Sequence, residues 1–352
     1  MSVKFLEALS NAYGAPGFED DVNQVIREYA GERFDIQEDS MRNLILLRKN
    51  HDGDKPVLML DGHSDEVGFI VQSIRPNGTI KFVTNGSWSA QNVAAHKVKI
   101  KNADGVYIEG IVASKPPHFS SGPETLIPIS EMVIDVGSSS YEETIREYKI
   151  EVGAPIVPEV VFTYNVKTGI MMGKAFDNRL GCACVVEVLN AIEGLDLAVD
   201  VVGAISVQEE VGGRGAKVNA QMIEPDIAIV FEGTPADDTF RDAYEAQGAL
   251  KKGTQIRHVD KTMISNPRFV KFAKETAREN EIIFQEAVRE GGGTNGALIQ
   301  TQVFDVPCLV LGTPVRYAHT HYGISSIEDY NASVELAVEM IKKISETVIA
   351  SF

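Results

Sequence analysis

"DVVGAISVQEEVGGRGA", residues 200–216, runs from a mostly apolar stretch into two adjacent glutamates, Glu209 and Glu210, and then into a glycine cluster. Small and β-branched residues from Val201 to Val207 read as a strand buried on both faces, the habit of parallel sheets in α/β proteins. The glycines stand where such a strand turns into a helix. Burying one carboxylate is costly unless it is paired, hydrogen-bonded or bound to a metal. Two side by side repel, and the pKa of one is expected to rise.

The same pattern recurs on either side. "PVLMLDGHSD" (56–65), "GIMMGKAFDN" (169–178), "DIAIVFEG" (226–233) and "VPCLVLG" (306–312) are apolar runs, each followed by polar residues. Helical periodicity covers 4–13, 20–34, 267–280 and 326–349, and helices are also predicted from Asn178 and at "GGGTNGALIQ" (291–300). Alternating helices and buried strands predict an α/β fold: a mostly parallel sheet sandwiched by helices. The character changes between residues 69 and 166. There "TIKFVT", "HKVKIK", "VYIEGIVA" and "MVIDV" are short strands, and "RPNG" and "NADG" are turn signals. An all-β insert, 69–166, is therefore expected within a discontinuous α/β domain, 1–68 and 167–352.

Composition narrows the function. The chain has 352 residues, enough for two domains, with 44% hydrophobic and 24% charged residues. A net charge of −17 provides no basic surface for nucleic acid or for an anionic membrane. No apolar run reaches the ~18 residues of a membrane span. The N-terminal stretch reads as an amphipathic helix, not a signal peptide. Three cysteines, Cys182, Cys184 and Cys308, make a poor disulfide framework and imply a reducing cytoplasm.

His63, Asp177, the Glu209–Glu210 pair, Glu232 and His319 all fall at the C-terminal ends of apolar runs, the edge where open α/β sheets bind ligands. Singly, each has an ordinary explanation: His63 as a loop residue, Asp177 as a helix N-cap. Together they would form a cluster of buried, unpaired charge, which a pair of divalent metals resolves. Imidazole and carboxylate suit zinc, and equally cobalt or manganese. Asp65 stands two residues after His63, on the same side of an extended chain, where its carboxylate can accept the second ring N–H. In a hydrolytic centre one glutamate of the pair would hold a metal and the other would take a proton from water.

"GHSDEVGF", "KAFDNRLGC", "SVQEEVGGRGA", "FEGTPADD" and "GTPVRYAHTH" resemble, in order and spacing, the signature segments of the glutamyl-aminopeptidase family of di-metal exopeptidases, which includes self-assembling tetrahedral enzymes and members labelled endoglucanase. The resemblance implies His63 and Glu232 on one metal, Glu210 and His319 on the other, and Asp177 bridging. It implies Glu209 as general base and Asp65 as orienter of His63. It also implies a PDZ-like dimerisation domain in the insert, and dodecamers. Ser64 stands where the family usually has Met, and Asn295 where many relatives have Asp in a segment near the substrate pocket. His321 rivals His319, which keeps the family's spacing after Arg316 and Tyr317.

The function expected is a cytoplasmic metallo-aminopeptidase acting on short peptides. A related di-metal deacylase or carboxypeptidase shares the chemistry. An endoglucanase would need two carboxylates about 5–10 Å apart but neither histidine, and the chain has a single tryptophan, Trp88. A non-catalytic scaffold has no use for Glu209.

Overall fold

A computed structural model describes residues 3–49, 51, 53–119, 126–302 and 305–352. The apolar runs form the centre of an 11-stranded sheet. Strands Asp200–Ser206, Val57–His63, Ile227–Ala236 and Cys308–Arg316 lie side by side and parallel. Their side chains alternate between two cores. Leu58, Leu60, Val201, Ile205, Ile229, Phe231, Leu309 and Leu311 face one core, with helices Val3–Asn11, Asp20–Ala30, Phe176–Ala191, Pro267–Glu279 and Ile327–Ile341. Met59, Ala204, Ala228, Val230 and Val310 face the other, under helices Arg214–Ile223 and Gly296–Gln302. Burial on both faces explains why these strands read as nearly continuous apolar runs.

The sheet is mixed rather than mostly parallel. On one flank, Leu44–Arg48 pairs antiparallel with Asp200–Ser206, and Phe34–Glu38 antiparallel with it. On the other, Gly323–Ser326, Ile170–Gly173 and Thr163–Asn165 continue antiparallel. Thr254–Val259 runs antiparallel to Cys308–Arg316 and parallel to Phe284–Val288. Short connections join Phe34–Glu38 to Leu44–Arg48, Thr163–Asn165 to Ile170–Gly173 and Cys308–Arg316 to Gly323–Ser326, whereas the other flank pairings join strands far apart in sequence.

Two helix boundaries also differ from the sequence pattern. The helix expected to reach residue 34 stops at Ala30, where Gly31 takes a positive φ of 57° and Phe34 opens a strand. The closing helix ends at Ile341, and Ser345 caps a separate turn, Glu346–Ile349.

Strands from Gly68 to Pro158 form a closed six-stranded barrel, each paired antiparallel with its neighbours. Phe69, Val71, Ile80, Phe82, Val98, Ile100, Ile134 and Ile156 fill it as a separate apolar cluster. Thr163–Asn165, although within the stretch expected of the insert, belongs to the large sheet. Among the described residues, no helix is long and apolar enough to cross a membrane.

Candidate metal centre

The parallel strands deliver the polar residues to one edge. Ser206 and His63 are register partners at the ends of their strands. Glu232 lies inside its strand, which continues to Ala236, and not beyond its end as the sequence suggested. Gly233 makes that placement achievable: a Cβ there would stand 2.4 Å from Phe176 O and 2.6 Å from Asp177 Cα. Asp177, with non-helical φ of −88° and ψ of 101°, stands at a kink in the first turn of Phe176–Ala191 after a left-handed Ala175, and Asn178 rather than Asp177 accepts a helix amide, that of Gly181. His319, also left-handed with φ of 59°, follows strand Cys308–Arg316.

Asp177 lies between two imidazoles. Its Oδ1 is 3.2 Å from His63 Nε2, and its Oδ2 is 3.3 Å from His319 Nε2. Glu232 Oε1 is 3.5 Å from His63 Nε2, and Glu210 Oε2 is 3.4 Å from His319 Nε2. Glu209 Oε2 stands further off, 3.9 Å from His63 Nε2. Three groupings bring ligand atoms within 4.8 Å of one another: His63, Asp177 and Glu232; Asp177, Glu210 and His319; and His63 with Glu209 and Glu210. The first two share Asp177.

Burial penalises charge on all these groups. It lifts the Glu209 carboxyl to about 7 against the pull of His63, with Asp65 and Asp177 adding to the rise. Burial, reinforced by Asp177, lifts Glu232 to about 8, and it lifts Glu210 well above the usual carboxylate range. Asp177 is buried too, yet His319 and His63 hold it well below that range. Burial pulls His319 downward, but Asp177 and Glu210 raise it to about 10; Asp177, Asp65 and Glu232 likewise raise His63 despite its burial. Glu210 Oε1 and Glu232 Oε1 are buried without hydrogen-bond partners. Protons alone satisfy this cluster only by sitting on imidazoles and glutamates together. Divalent cations satisfy it directly, and the N/O donor set fits them.

Asp65 has a different set of contacts from the one its spacing suggested. Its Oδ1 is 3.3 Å from His63 Nδ1, which makes no aligned hydrogen bond. The carboxylate instead accepts the backbone N–H groups of Glu209 and Glu210, at 2.9 and 3.0 Å. His319 Nδ1 lies 3.2 Å from the carbonyl of Ser87, in the loop leaving the barrel strand Ile80–Asn85. His321 stacks on His96 with ring centroids 4.1 Å apart, away from the carboxylates.

A cavity of about 480 Å³ opens beside the cluster, lined by Asp177, Glu209, Glu210, Glu232 and His319. Two residues missed in the sequence also line it, Arg257 and Arg289. Arg257 is buried; it donates to Thr234 Oγ1 at 2.7 Å and lies 3.2 Å from Asp260 Oδ2, while its Nε has no partner. Arg289 is half-buried and donates to the Pro235 carbonyl at 2.9 Å. Burial, with Arg257 beside it, lowers its pKa. Its place directly before "EGGGTNG" was the available signal. Asn295, expected near the pocket, is buried behind its wall and donates to Asp61 Oδ2 at 2.8 Å.

The mixed α/β sheet brings two histidines and a set of carboxylates together beside a cavity, a donor set suited to metal-assisted hydrolysis. The model for the M42 glutamyl aminopeptidase family matches residues 43–336, and the chain belongs to that family; it is an aminopeptidase. It is 30% identical over 329 residues to the glutamyl aminopeptidase of Lactococcus lactis subsp. cremoris (strain MG1363), covering 92% of this chain and 91% of that one. It superimposes on the TET aminopeptidase of the marine sediment archaeon Thaumarchaeota archaeon SCGC AB-539-E09 with a TM-score of 0.93, at 32% identity and covering 99% of each chain. The dodecameric PhTET1-12s gives a TM-score of 0.87 at 25% identity, covering 98% of this chain and 100% of that one.

Proposed function

We propose that the protein removes N-terminal residues from short peptides as a two-metal aminopeptidase, with zinc or cobalt, or manganese, as the ions. The observation that carries this reading is Asp177 with one oxygen toward each imidazole, flanked by Glu232 on the His63 side and Glu210 on the His319 side. His63 and Glu232 would hold one ion, Glu210 and His319 the other, and Asp177 both. When bound, the ions supply Lewis acidity toward the scissile carbonyl and the attacking water. Glu209, not needed in either three-residue set, takes a proton from the water and passes it to the leaving amine. Asp65 holds the backbone of the glutamate pair and stands beside His63.

Arg289 on the cavity wall favours an acidic N-terminal residue, whose carboxylate its guanidinium would meet, with Arg257 beside it paired to Asp260. The net charge of −17 opposes such substrates only at long range. We further propose the expected insert, residues 69–166 without its last strand Thr163–Asn165, as a dimerisation unit of PDZ-like role built on the barrel, the expected 1–68 and 167–352 together with that strand as the catalytic unit, assembly into dimers and dodecamers, and a cytoplasmic location.

The test is hydrolysis of aminoacyl-p-nitroanilides, N-acyl amino acids and soluble cellulose by chelator-treated protein, before and after zinc, cobalt or manganese is returned. Metal-restored cleavage of the anilides alone is expected. Cleavage confined to N-acyl amino acids would support the deacylase reading instead, and cleavage of cellulose the endoglucanase reading. Arg289→Gln is expected to lower kcat/KM for glutamyl- and aspartyl-p-nitroanilide by about 10–100-fold, the worth of a hydrogen bond to a charged group. Leucyl-p-nitroanilide should be unaffected. Equal loss on both substrates would contradict the acidic pocket.

A further inference from the structure

Four consecutive backbone amides, Val207 to Glu210, each donate to a side-chain oxygen. Val207 donates to Asn43 Oδ1 at 2.9 Å, and Gln208 to Glu19 Oε1 at 3.1 Å. Glu209 and Glu210 donate to Asp65 Oδ1 and Oδ2. Strand Asp200–Ser206 has already ended, so no ladder partner serves these groups. The acceptors come from three separate segments. Asn43 immediately precedes strand Leu44–Arg48, Glu19 is the residue before helix Asp20–Ala30, and Asp65 follows His63. All three are fully buried.

Buried carboxylates and amides are costly to place, and a strand end exposed to a cavity could satisfy its amides with water. Here the amides are instead fixed by rigid elements. Gln208 is left-handed, with φ of 56°, and turns the chain so that the glutamates line the cavity. Gly215 closes the cradle: a Cβ there would stand 2.3 Å from Asn43 Oδ1 and 2.4 Å from Val207 O. Asn43 is fixed in turn by donating Nδ2 to Asp39 Oδ2 at 2.7 Å. Glu19 Oε1 also accepts the Gly17 amide at 2.8 Å, while its buried Oε2 has no partner. What Glu19 contributes is Oε1 as the acceptor of two backbone amides.

We infer that Glu19 and Asn43 are positioning residues for catalysis, which together with Asp65 set the aim of Glu209 and Glu210 by capturing the amides of the turn that bears them. The inference rests on the proposed roles of that pair. A misplacement of about 1 Å can cost about 10²-fold in rate, and loss of a group that orients a metal ligand typically costs about 10–100-fold in metal affinity.

The experiment compares Glu19→Leu, Glu19→Gln and the parent. Metal-free protein is titrated with Co²⁺ by absorbance, and kcat and KM are measured on an aminoacyl-p-nitroanilide. Glu19→Leu should lose about 10–100-fold in Co²⁺ affinity and about 10²-fold in kcat, with KM nearly unchanged. Glu19→Gln keeps the acceptor and should match the parent in both. A folded Glu19→Leu variant with parental affinity and kcat overturns the inference, as does a Glu19→Gln variant impaired as far as Glu19→Leu. Should Glu19→Leu not fold, Asn43→Ala is expected to show the same paired losses, and parental values there overturn it. A parent without peptidase activity would count against the proposed function, while the Co²⁺ titration would still report on the cradle.

Discussion

Asp177→Ala is expected to leave the protein with less than one tightly bound divalent ion per chain and without measurable peptidase activity. The reason is geometric. Its two oxygens lie 3.2 and 3.3 Å from imidazoles on opposite sides of the centre, so one substitution removes a ligand from both groupings. Each grouping would be left with one imidazole and one glutamate, each glutamate having an unpartnered buried oxygen. The loss should exceed the ~10–100-fold typical of removing an outer partner of a ligand. Elemental analysis of gel-filtered protein measures it, with Glu232→Ala as comparison, since Glu232 belongs to one grouping only. Two retained ions in Asp177→Ala would remove the bridging role.

Glu209→Gln should behave in the opposite way, keeping both ions while kcat falls by about 10²–10⁴-fold. Glutamine preserves size and hydrogen-bonding capacity but cannot accept the proton. Glu209 is the more distant of the carboxylates around His63, at 3.9 Å, which suits a group that serves the water rather than an ion. Glu210→Ala should lose metal and be partly rescued by excess. Metal loss in Glu209→Gln together with retention in Glu210→Ala would reverse the two roles, an outcome that the third grouping, His63 with both glutamates, makes worth measuring.

The centre was legible in the sequence because its strands are buried on both faces. An apolar run such as Val57–Leu60 or Ile227–Phe231 that meets a histidine or glutamate announces a change of environment within a few residues. Strand direction is not local in that way. Leu44–Arg48 pairs antiparallel with a strand more than 150 residues later, and nothing in "LILLR" records it. Thr254–Val259 escaped notice because Gln255 and Arg257 look solvent-facing. Both are buried, made tolerable by Thr234, which another strand brings, and by Asp260 just beyond the strand's own end. Arg257 was lost from the candidate site with that strand. The cradle behind the glutamates was hidden for the same reason: Glu19 and Asn43 lie more than 160 residues from the amides they accept.

The carbonyl of Ser87 beside His319 has a bearing on modularity. The loop that carries it is held within the barrel by Trp88 Nε1, which donates to Gly68 O, and the strand before it reaches outside the barrel through Asn85 Nδ2, which donates to Pro16 O. A barrel exchanged as a cassette would therefore bring its own version of a contact to the reactive histidine. Replacing the barrel also changes what stands beside that imidazole, so the two are inherited together.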